Sequence, residues 1–293
     1  MSFMLLGILN SQAAGGKQKI FVAGDTSGSR LTSPDGVTWT QTAAVALEIN
    51  DAAFGAELYV MVGRSGGVST SPDAITWTTR DIFTTADMEG IDFVNEVFIL
   101  TGNDGILKTS TTGTGYTDRS TGTGSRLRCA AYGASVYVVC GDSGEMYTST
   151  NLSSWTSRTS GFGSSGIFGV AFGAGLFVAV GQSGKITTSP DGTTWTSRTS
   201  NFSSSYHILE VAYSDGLFVA VGQNGGIVTS ANGSSWTART SQFGTDEINN
   251  VSGGDGLWVA TGQGGKISSS TNGTSWTSRT SGTTSTIKGV TFG

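Results

Sequence analysis

One stretch of the chain, residues 175–200, reads GLFVAVGQSGKITTSPDGTTWTSRTS, and variants of it recur along the sequence. Aligned on its aromatic residue, the repeat is present seven times, at successive spacings of 38, 39, 39, 40, 41 and 40 residues. The aligned aromatic residues are Trp39, Trp77, Tyr116, Trp155, Trp195, Trp236 and Trp276. Self-similarity at such a period is typical of an array of small units that pack on one another.

Each repeat has the hydrophobic period of β-strands. In the repeat that contains Trp195, residues 167–172, 176–180, 185–188 and 194–198 are predicted to be strands. Gly, Ser, Pro and Asp, the residues of tight turns, lie between them. Four short antiparallel strands in about 40 residues make one blade of a β-propeller, which must pack on neighbouring blades.

The two ends of the sequence complement each other. Residues 19–24 (KIFVAG) match a second strand without a preceding first strand, and residues 287–292 (IKGVTF) match a first strand without a second. We therefore predict an all-β fold in which residues 17–293 form a seven-bladed β-propeller of four-stranded antiparallel blades. The C-terminal strand is expected to complete the first blade and close the ring, leaving no open sheet edge.

Composition excludes several classes of protein. The 293 residues include 45 Gly and only 13% charged residues, which disfavours helical bundles. A hydrophobic content of 37% disfavours disorder, and the net charge of −5 without a basic run argues against nucleic acid as a partner. The one continuous apolar run before the repeats, residues 3–9, is far shorter than the roughly 20 residues that span a bilayer.

Residues 1–16 are interpreted as an apolar segment that docks on a partner protein. Its candidate docking residues are Phe3, Leu5, Leu6, Ile8 and Leu9. The alternative is a cleaved signal peptide, but the first cation, Lys17, lies after the apolar run rather than before it.

The strongest local motif is Ser-Pro-Asp-Gly-x-Thr-Trp, at residues 33–39 and 189–195, with degenerate forms at 71–77, 149–155, 230–236 and 270–276. It resembles the Asp-box of sialidase-type and photosystem II assembly factor-type propellers, although it is one residue shorter. In those families the box is structural, which implies that Asp35, Asp73 and Asp191 hold hairpins. The same resemblance implies structural roles for Trp39, Trp77, Trp155, Trp195, Trp236 and Trp276.

The sequence argues against an enzyme. The resemblance to sialidases implies an arginine triad, a Tyr–Glu nucleophile pair and an opening Arg-Ile-Pro motif, and that motif is absent. The single histidine, His207, and two cysteines cannot form a metal cluster, and no nucleophile elbow is present. We predict no catalytic residue, cofactor or metal; a glycosidase that uses another carboxylate pair is the less favoured alternative.

An arginine follows the aligned aromatic residue in six repeats: Arg80, Arg119, Arg158, Arg198, Arg239 and Arg279. A ligand-binding ring is one interpretation. The favoured one is a structural arginine that bridges blades and donates to carbonyl groups.

Candidate ligand contacts are expected in the links between one blade and the next, since links vary where blade cores do not. Phe83, Phe162, Phe202 and Phe243 are expected mostly to cap blade cores, whereas the less repetitive Tyr206, His207, Asp246 and Glu247 are the candidate ligand-binding residues.

Cys129 and Cys140 align with cross-strand positions of one blade. They are either two buried thiols or a disulfide; thiols are favoured.

The charge-poor repeats and the first 16 residues together resemble virion proteins of tailed bacteriophages. That resemblance implies a non-enzymatic structural protein, present in several copies, that docks by its N-terminus on other virion proteins. A propeller face would then be exposed to host-surface glycans or a receptor. The alternative is a cell-encoded scaffold or assembly factor, secreted or periplasmic, with a cleaved N-terminus and a membrane-complex partner.

Overall fold

The computed structural model describes residues 19–42 and 47–293 as seven four-stranded antiparallel sheets. Each sheet is one blade, and the innermost strand of every blade contacts the innermost strands of both neighbouring blades. The predicted seven-bladed propeller is therefore confirmed. The proposed docking residues of segment 1–16 lie outside the described residues.

The strands are numbered in chain order, and blade 1 is the one that contains both chain ends. The innermost strands of blades 1 to 7 are β28 (Ile287–Phe292), β4 (Ile49–Gly55), β8 (Met88–Val94), β12 (Leu127–Gly133), β16 (Ile167–Gly173), β20 (Ile208–Ser214) and β24 (Ile248–Gly254). The second strands are β1 (Phe21–Asp25), β5 (Leu58–Gly63), β9 (Val97–Gly102), β13 (Val136–Gly141), β17 (Leu176–Gly181), β21 (Leu217–Gly222) and β25 (Leu257–Gly262).

The third strands are β2 (Arg30–Ser33), β6 (Val68–Ser71), β10 (Leu107–Ser110), β14 (Met146–Ser149), β18 (Ile186–Ser189), β22 (Ile227–Ser230) and β26 (Ile267–Ser270). The outer strands are β3 (Thr40–Thr42), β7 (Thr78–Arg80), β11 (Thr117–Arg119), β15 (Thr156–Ser157), β19 (Thr196–Arg198), β23 (Thr237–Arg239) and β27 (Thr277–Arg279). Short 3-10 turns at Arg64–Gly66, Asn103–Gly105, Asp142–Gly144, Gln182–Gly184 and Gln263–Gly265 join second to third strands.

The ring closes as the chain ends predict. Strand β28 pairs with β1 from Phe21↔Phe292 to Asp25↔Ile287. The backbone N–H of Ile20 donates to the Gly293 carbonyl at 2.7 Å, and the Tyr59 hydroxyl of blade 2 donates to the same carbonyl. The last residue thus bonds to both the first and the second blade.

The core lies between the blades. Near the end of most innermost strands an aromatic residue packs over a glycine of the preceding blade: a Cβ on Gly173 would lie 2.1 Å from Cγ of Tyr213, and one on Gly133 would lie 2.1 Å from Cγ of Phe172. Blade 7 has Gly253 where other blades have the aromatic ring, and the indole of Trp258 fills that space. Glycine leaves room at these positions for the rings of the next blade, whereas the same place holds Val94 in blade 3 and Ser214 in blade 6.

The Asp-box residues hold hairpins, as the resemblance implies. Oδ1 of Asp191 accepts the N–H groups of Thr193 and Thr194 at 2.8 and 3.1 Å. Asp35 and Asp73 do the same in blades 1 and 2, and the N–H bonds of Thr76 and Ile75 lower the pKa of Asp73 to about 2. The indole N–H groups of Trp39, Trp77, Trp195, Trp236 and Trp276 donate to the carbonyl three residues earlier. Trp155 packs against the core without that bond.

The repeated arginines do not follow the prediction in detail. Nε of Arg198 donates to Oγ1 of Thr188 in its own blade at 2.9 Å, and the other five make the same bond to a Thr or Ser of the third strand. Arg198 is paired with Ile186, so its side chain folds back along its own sheet towards the hydroxyl two residues further on. The Nε contact therefore lies within a blade and goes to a hydroxyl, not to a carbonyl of the next blade.

Phe83 is the exception among the four Phe residues that mostly cap blade cores. Phe162 and Phe243 are buried and Phe202 is half-buried, but Phe83 is 89% exposed and Ile82 takes the core position. Phe83 follows Arg80 by three residues, whereas Phe162 follows Arg158 by four. The third residue after the arginine has a positive φ, +57° at Phe83 and +81° at Gly161. This backbone conformation directs the Phe83 side chain outward.

Cys129 and Cys140 are cross-strand partners in blade 4. Both are buried free thiols, with their Sγ atoms 3.5 Å apart.

Candidate functional site

The two ends of the propeller differ in their connections. Antiparallel pairing places the hairpins between first and second strands, and between third and outer strands, at one end, which we call the hairpin face. The turns between second and third strands and the links between blades lie at the other end, which we call the loop face. The innermost strands surround a central channel that opens on both faces.

Every innermost strand has a β-bulge at its second residue. In β4 the register passes from Ile49↔Gly63 to Asp51↔Val62, so Asn50 has no partner, and the same shift occurs in the other six blades. A bulge bends the strand and re-aims the extra side chain. The bulged residues are Asn50, Glu89, Arg128, Phe168, Leu209, Asn249 and Lys288.

All seven bulged residues line one cavity of about 340 Å³ at the loop-face end of the channel, which we call the mouth. Asn50 and Asn249 each donate to the first residue of the next innermost strand, at 2.8 Å to the Met88 carbonyl and 3.4 Å to the Ile287 carbonyl. The amide oxygens of both side chains accept no bond from the described residues. The mouth therefore offers hydrogen-bond acceptors on a rigid frame.

One side of the mouth is an ion-pair network. Nε of Arg128 lies 2.6 Å from Oδ1 of Asp142, and its Nη1 lies 3.5 Å from Oε2 of Glu89. The guanidinium also lies over the ring of Phe168, 4.9 Å from its centroid. Arg128 is thus held by two carboxylates and one ring, and presents a fixed positive group at the rim.

His207 and Glu247 lie on the other side of the mouth. Nδ1 of His207 accepts the N–H of Ser183 at 3.2 Å, and its ring packs against Phe168 with centroids 5.8 Å apart. Gln223 joins the two: its Oε1 accepts the main-chain N–H of His207 at 3.0 Å and its Nε2 donates to Oε2 of Glu247 at 3.2 Å. The side chain of His207 keeps Nε2 free of any partner among the described residues.

The four predicted ligand-binding residues do not form one site. His207 and Glu247 line the mouth, whereas Tyr206 lines a separate groove between blades 5 and 6. Asp246 forms an ion pair with Lys266, with Oδ2 2.6 Å from Nζ, and lines neither cavity. The sequence reasoning missed the bulged residues because regular alternation hides a bulge. The sequence does carry a signal for these residues: the first residue of this strand is apolar in all seven repeats, whereas the second residue differs between repeats.

Deeper in the channel, Asp51, Glu210 and Asn250 line both the mouth and a second cavity of about 270 Å³ that opens on the hairpin face. Asp92 lines the second cavity only. Asp51, Asp92 and Glu210 are half-buried and border the channel.

Main-chain groups hold these channel acids. Oδ2 of Asp51 accepts the N–H of Ile91 in the next blade at 2.9 Å, Asp92 accepts that of Ala130 at 2.8 Å, and Glu210 accepts that of Val211 at 2.8 Å. Burial raises the pKa of Asp51 to about 7, against the opposing effect of its N–H bonds. Burial, together with repulsion from neighbouring acids, raises the pKa of Asp92 and Glu210. Among residues 19–42 and 47–293 no group of three or more His, Cys, Asp or Glu side chains could hold a metal ion.

Solved structures share this architecture. YCF48 bound to D1 peptide matches with a TM-score of 0.65 and 15% identity, over 83% of this chain and 85% of that one. YCF48 from Cyanidioschyzon merolae gives 0.59 and 17%, over 78% and 84%. A virginiamycin B lyase from Staphylococcus aureus gives 0.72 and 10%, over 84% and 88%.

The chain is a seven-bladed propeller that resembles YCF48 in structure. At these identities the likeness establishes the fold alone, since one fold hosts many functions. No family profile and no curated protein matches the chain. No helix of the described residues is long and apolar enough to cross a membrane.

Proposed function

We propose that this protein is a non-enzymatic virion protein of a tailed bacteriophage whose loop face binds host-surface glycan. One observation carries the binding role. The bulged residues are of six types at seven equivalent positions, and all of them line a single polar cavity. Residues whose only role is to close the ring can be the same in every blade. A binding surface needs different chemical groups at defined positions.

The virion setting rests on the sequence. The Ser-, Thr- and Gly-rich repeats and the apolar segment 1–16 resemble tailed-phage structural proteins. In this proposal segment 1–16 docks on a neighbouring virion protein and the loop face points outward.

Mass spectrometry of gradient-purified particles tests the setting, with the full chain compared with a chain that lacks residues 1–16. The full chain is expected to sediment with the particles and the truncated chain to remain unbound. Absence of the full chain from the particles would overturn the proposal.

The non-enzymatic role is supported by the bonding of the channel acids. Asp51, Asp92 and Glu210 each accept a main-chain N–H through one carboxylate oxygen, which satisfies N–H groups of the innermost strands that have no strand partner on the channel side. Release of reducing sugar from host polysaccharide is the corresponding assay. Release that is lost in Glu210→Gln would establish a glycosidase instead.

A peptide-binding scaffold is the second candidate. The solved YCF48 structure carries a bound D1 peptide, which shows that a propeller of this architecture can take a peptide. This function predicts a cleaved N-terminus and a membrane-complex partner. N-terminal sequencing of the native protein separates the two candidates: cleavage after Ala14 favours the scaffold, and an intact terminus favours the virion protein.

A further inference from the structure

A groove of about 150 Å³ lies on the loop face between blades 5 and 6, beside the mouth. Its walls are the link between the two blades and the turn between β21 and β22, and it includes Phe202, Tyr206, Asn224 and Arg239. The equivalent places next to it in the ring are filled by lysine side chains.

Two lysine side chains occupy the equivalent places in blades 5 and 7. Nζ of Lys185, one residue before β18, donates to the Phe162 carbonyl at 2.9 Å. Nζ of Lys266, one residue before β26, donates to the Phe243 carbonyl at 2.9 Å. In blade 6 the residue one before β22 is Gly226, which has no side chain to span the gap. No lysine therefore crosses this place in blade 6, and the ring of Phe202 packs against Gly226 instead.

Two aromatic rings line the space that the missing lysine leaves. The link of blades 5 and 6 has nine residues between Arg198 and Ile208, against eight between Arg158 and Ile167. Phe202 is half-buried rather than buried, and its ring covers Gly226, where a Cβ would lie 2.3 Å from Cε2. Tyr206 is 37% exposed, and its hydroxyl has no partner among the described residues.

The polar groups of the groove are amides, the Ser203 hydroxyl and one guanidinium. Nδ2 of Asn201 donates to the Trp236 carbonyl at 2.6 Å, which leaves its Oδ1 without a donor from the described part of the chain. Arg239 uses Nε on Thr229 at 2.9 Å, and its two terminal nitrogens have no protein acceptor there. Asn224 makes no side-chain bond within the described ranges. No carboxylate lines the groove.

We propose that this groove binds one pyranose unit of a glycan. The apolar face of a sugar ring packs on Phe202 and Tyr206, and its hydroxyl groups bond to the free amide and guanidinium groups. The volume is about half the roughly 300 Å³ at the lower end of pockets for drug-sized ligands, so it suits one ring of a longer chain. The inference rests on the proposed glycan-binding role and names its subsite.

Saturation-transfer NMR on the full chain tests the subsite, with methyl glucoside, methyl galactoside, N-acetylglucosamine and methyl glucuronide as probes. Magnetisation transfer to at least one probe is expected, and Tyr206→Ala is expected to weaken binding about tenfold. A preference for the glucuronide assigns the carboxylate to Arg239, and a preference for a neutral sugar assigns the contacts to the amides.

Two variants keep the test specific. Phe83→Ala removes the other exposed ring of the loop face and is expected to leave binding unchanged, and Gly226→Lys restores the residue of blades 5 and 7 and is expected to abolish it. Thermal unfolding must show that each variant folds. No transfer to any probe, or equal loss in Phe83→Ala and Tyr206→Ala, would overturn the subsite. Particle sedimentation is independent of this result, so failure of the subsite and failure of the virion assignment are distinguishable.

Discussion

The hairpin face and the innermost strands are built from the same seven repeats. Equivalent residues are nearly the same in every blade on the hairpin face, but at the bulge of the innermost strands they differ between blades. On the hairpin face, Asp or Asn accepts the same two N–H groups in six blades, and five of the six Trp residues make the same indole bond. At the bulge of the innermost strands, six residue types occupy seven equivalent positions. Repetition marks the contacts that set blade geometry, and variation marks the surface that the geometry presents.

The largest expected effect comes from the contact between blades. Gly173→Val places a branched side chain where the Tyr213 ring lies, since a Cβ would already be 2.1 Å from Cγ. We expect a loss of about 3 kcal/mol or more in the free energy of unfolding, measured in urea. Gly115→Ala is the matched control, because no atom lies within 4 Å of its Cβ position. Equal losses in the two variants would contradict packing between blades as the determinant.

An effect of similar size is expected for the tryptophan that recurs in the hairpins. Trp236 is 3% exposed, and its indole N–H donates to Gly233 at 3.0 Å. Trp236→Ala is expected to cost about 3–5 kcal/mol by the loss of buried area and the cavity that remains. Ile75→Thr, at an exposed hairpin tip, is the control and should change stability by less than about 0.5 kcal/mol. A small loss at Trp236 would show that the hairpin does not depend on its anchor.

The channel predicts a pH dependence. The pKa of Asp51 is raised to about 7, against roughly 3.9 in an unfolded chain, so the folded protein binds its proton more tightly. This contribution is fully present below about pH 4 and is lost as the pH rises towards 7, on the order of 4 kcal/mol in all. Asp51→Asn is expected to flatten the dependence of unfolding free energy on pH over that range. An unchanged profile would show that Asp51 titrates at its ordinary pKa.

The smallest expected effect comes from replacing an Asp of one hairpin by the Asn that another blade has at the same position. Asn232 makes in blade 6 the bonds that Asp191 makes in blade 5. Asp191→Asn is therefore expected to stay within about 0.5 kcal/mol of the natural protein, and Asp191→Ala to cost about 1 kcal/mol. A large loss in Asp191→Asn would mean that the carboxylate charge, rather than its acceptor geometry, holds the hairpin.

Much of the fold could be predicted because its causes are local and repeated. Turn residues and strand periodicity set four strands per repeat, and the observed strand β18 starts at Ile186, one residue after the predicted Lys185. The outer strand β19 starts at Thr196 rather than Thr194, because Asp191 holds residues 193 and 194 in the hairpin. Ring closure could be predicted because the pattern of residues 287–292 supplies the first strand that residues 19–24 lack, and pairing the two leaves no open sheet edge.

The candidate site could be predicted only in part. His207 and Glu247 were identified because they break the repeat in a link, but Asp246 pairs with Lys266 and Tyr206 lines another cavity. The spacing of residues in the sequence does not predict which side chains form ion pairs, or which strand residue lies in a bulge. The side-chain directions of the bulged residues depend on register, and register is a property of paired strands.

By itself the sequence determined the number of blades, the closure of the ring and the structural role of the Asp-box residues. Each of these depends on contacts within one repeat or between the two ends. Only the tertiary structure decided which unlike residues meet, because the mouth and the groove assemble from different blades. Gly226 stands where blades 5 and 7 have a lysine that bonds to the preceding link, and only the folded ring brings those places into correspondence.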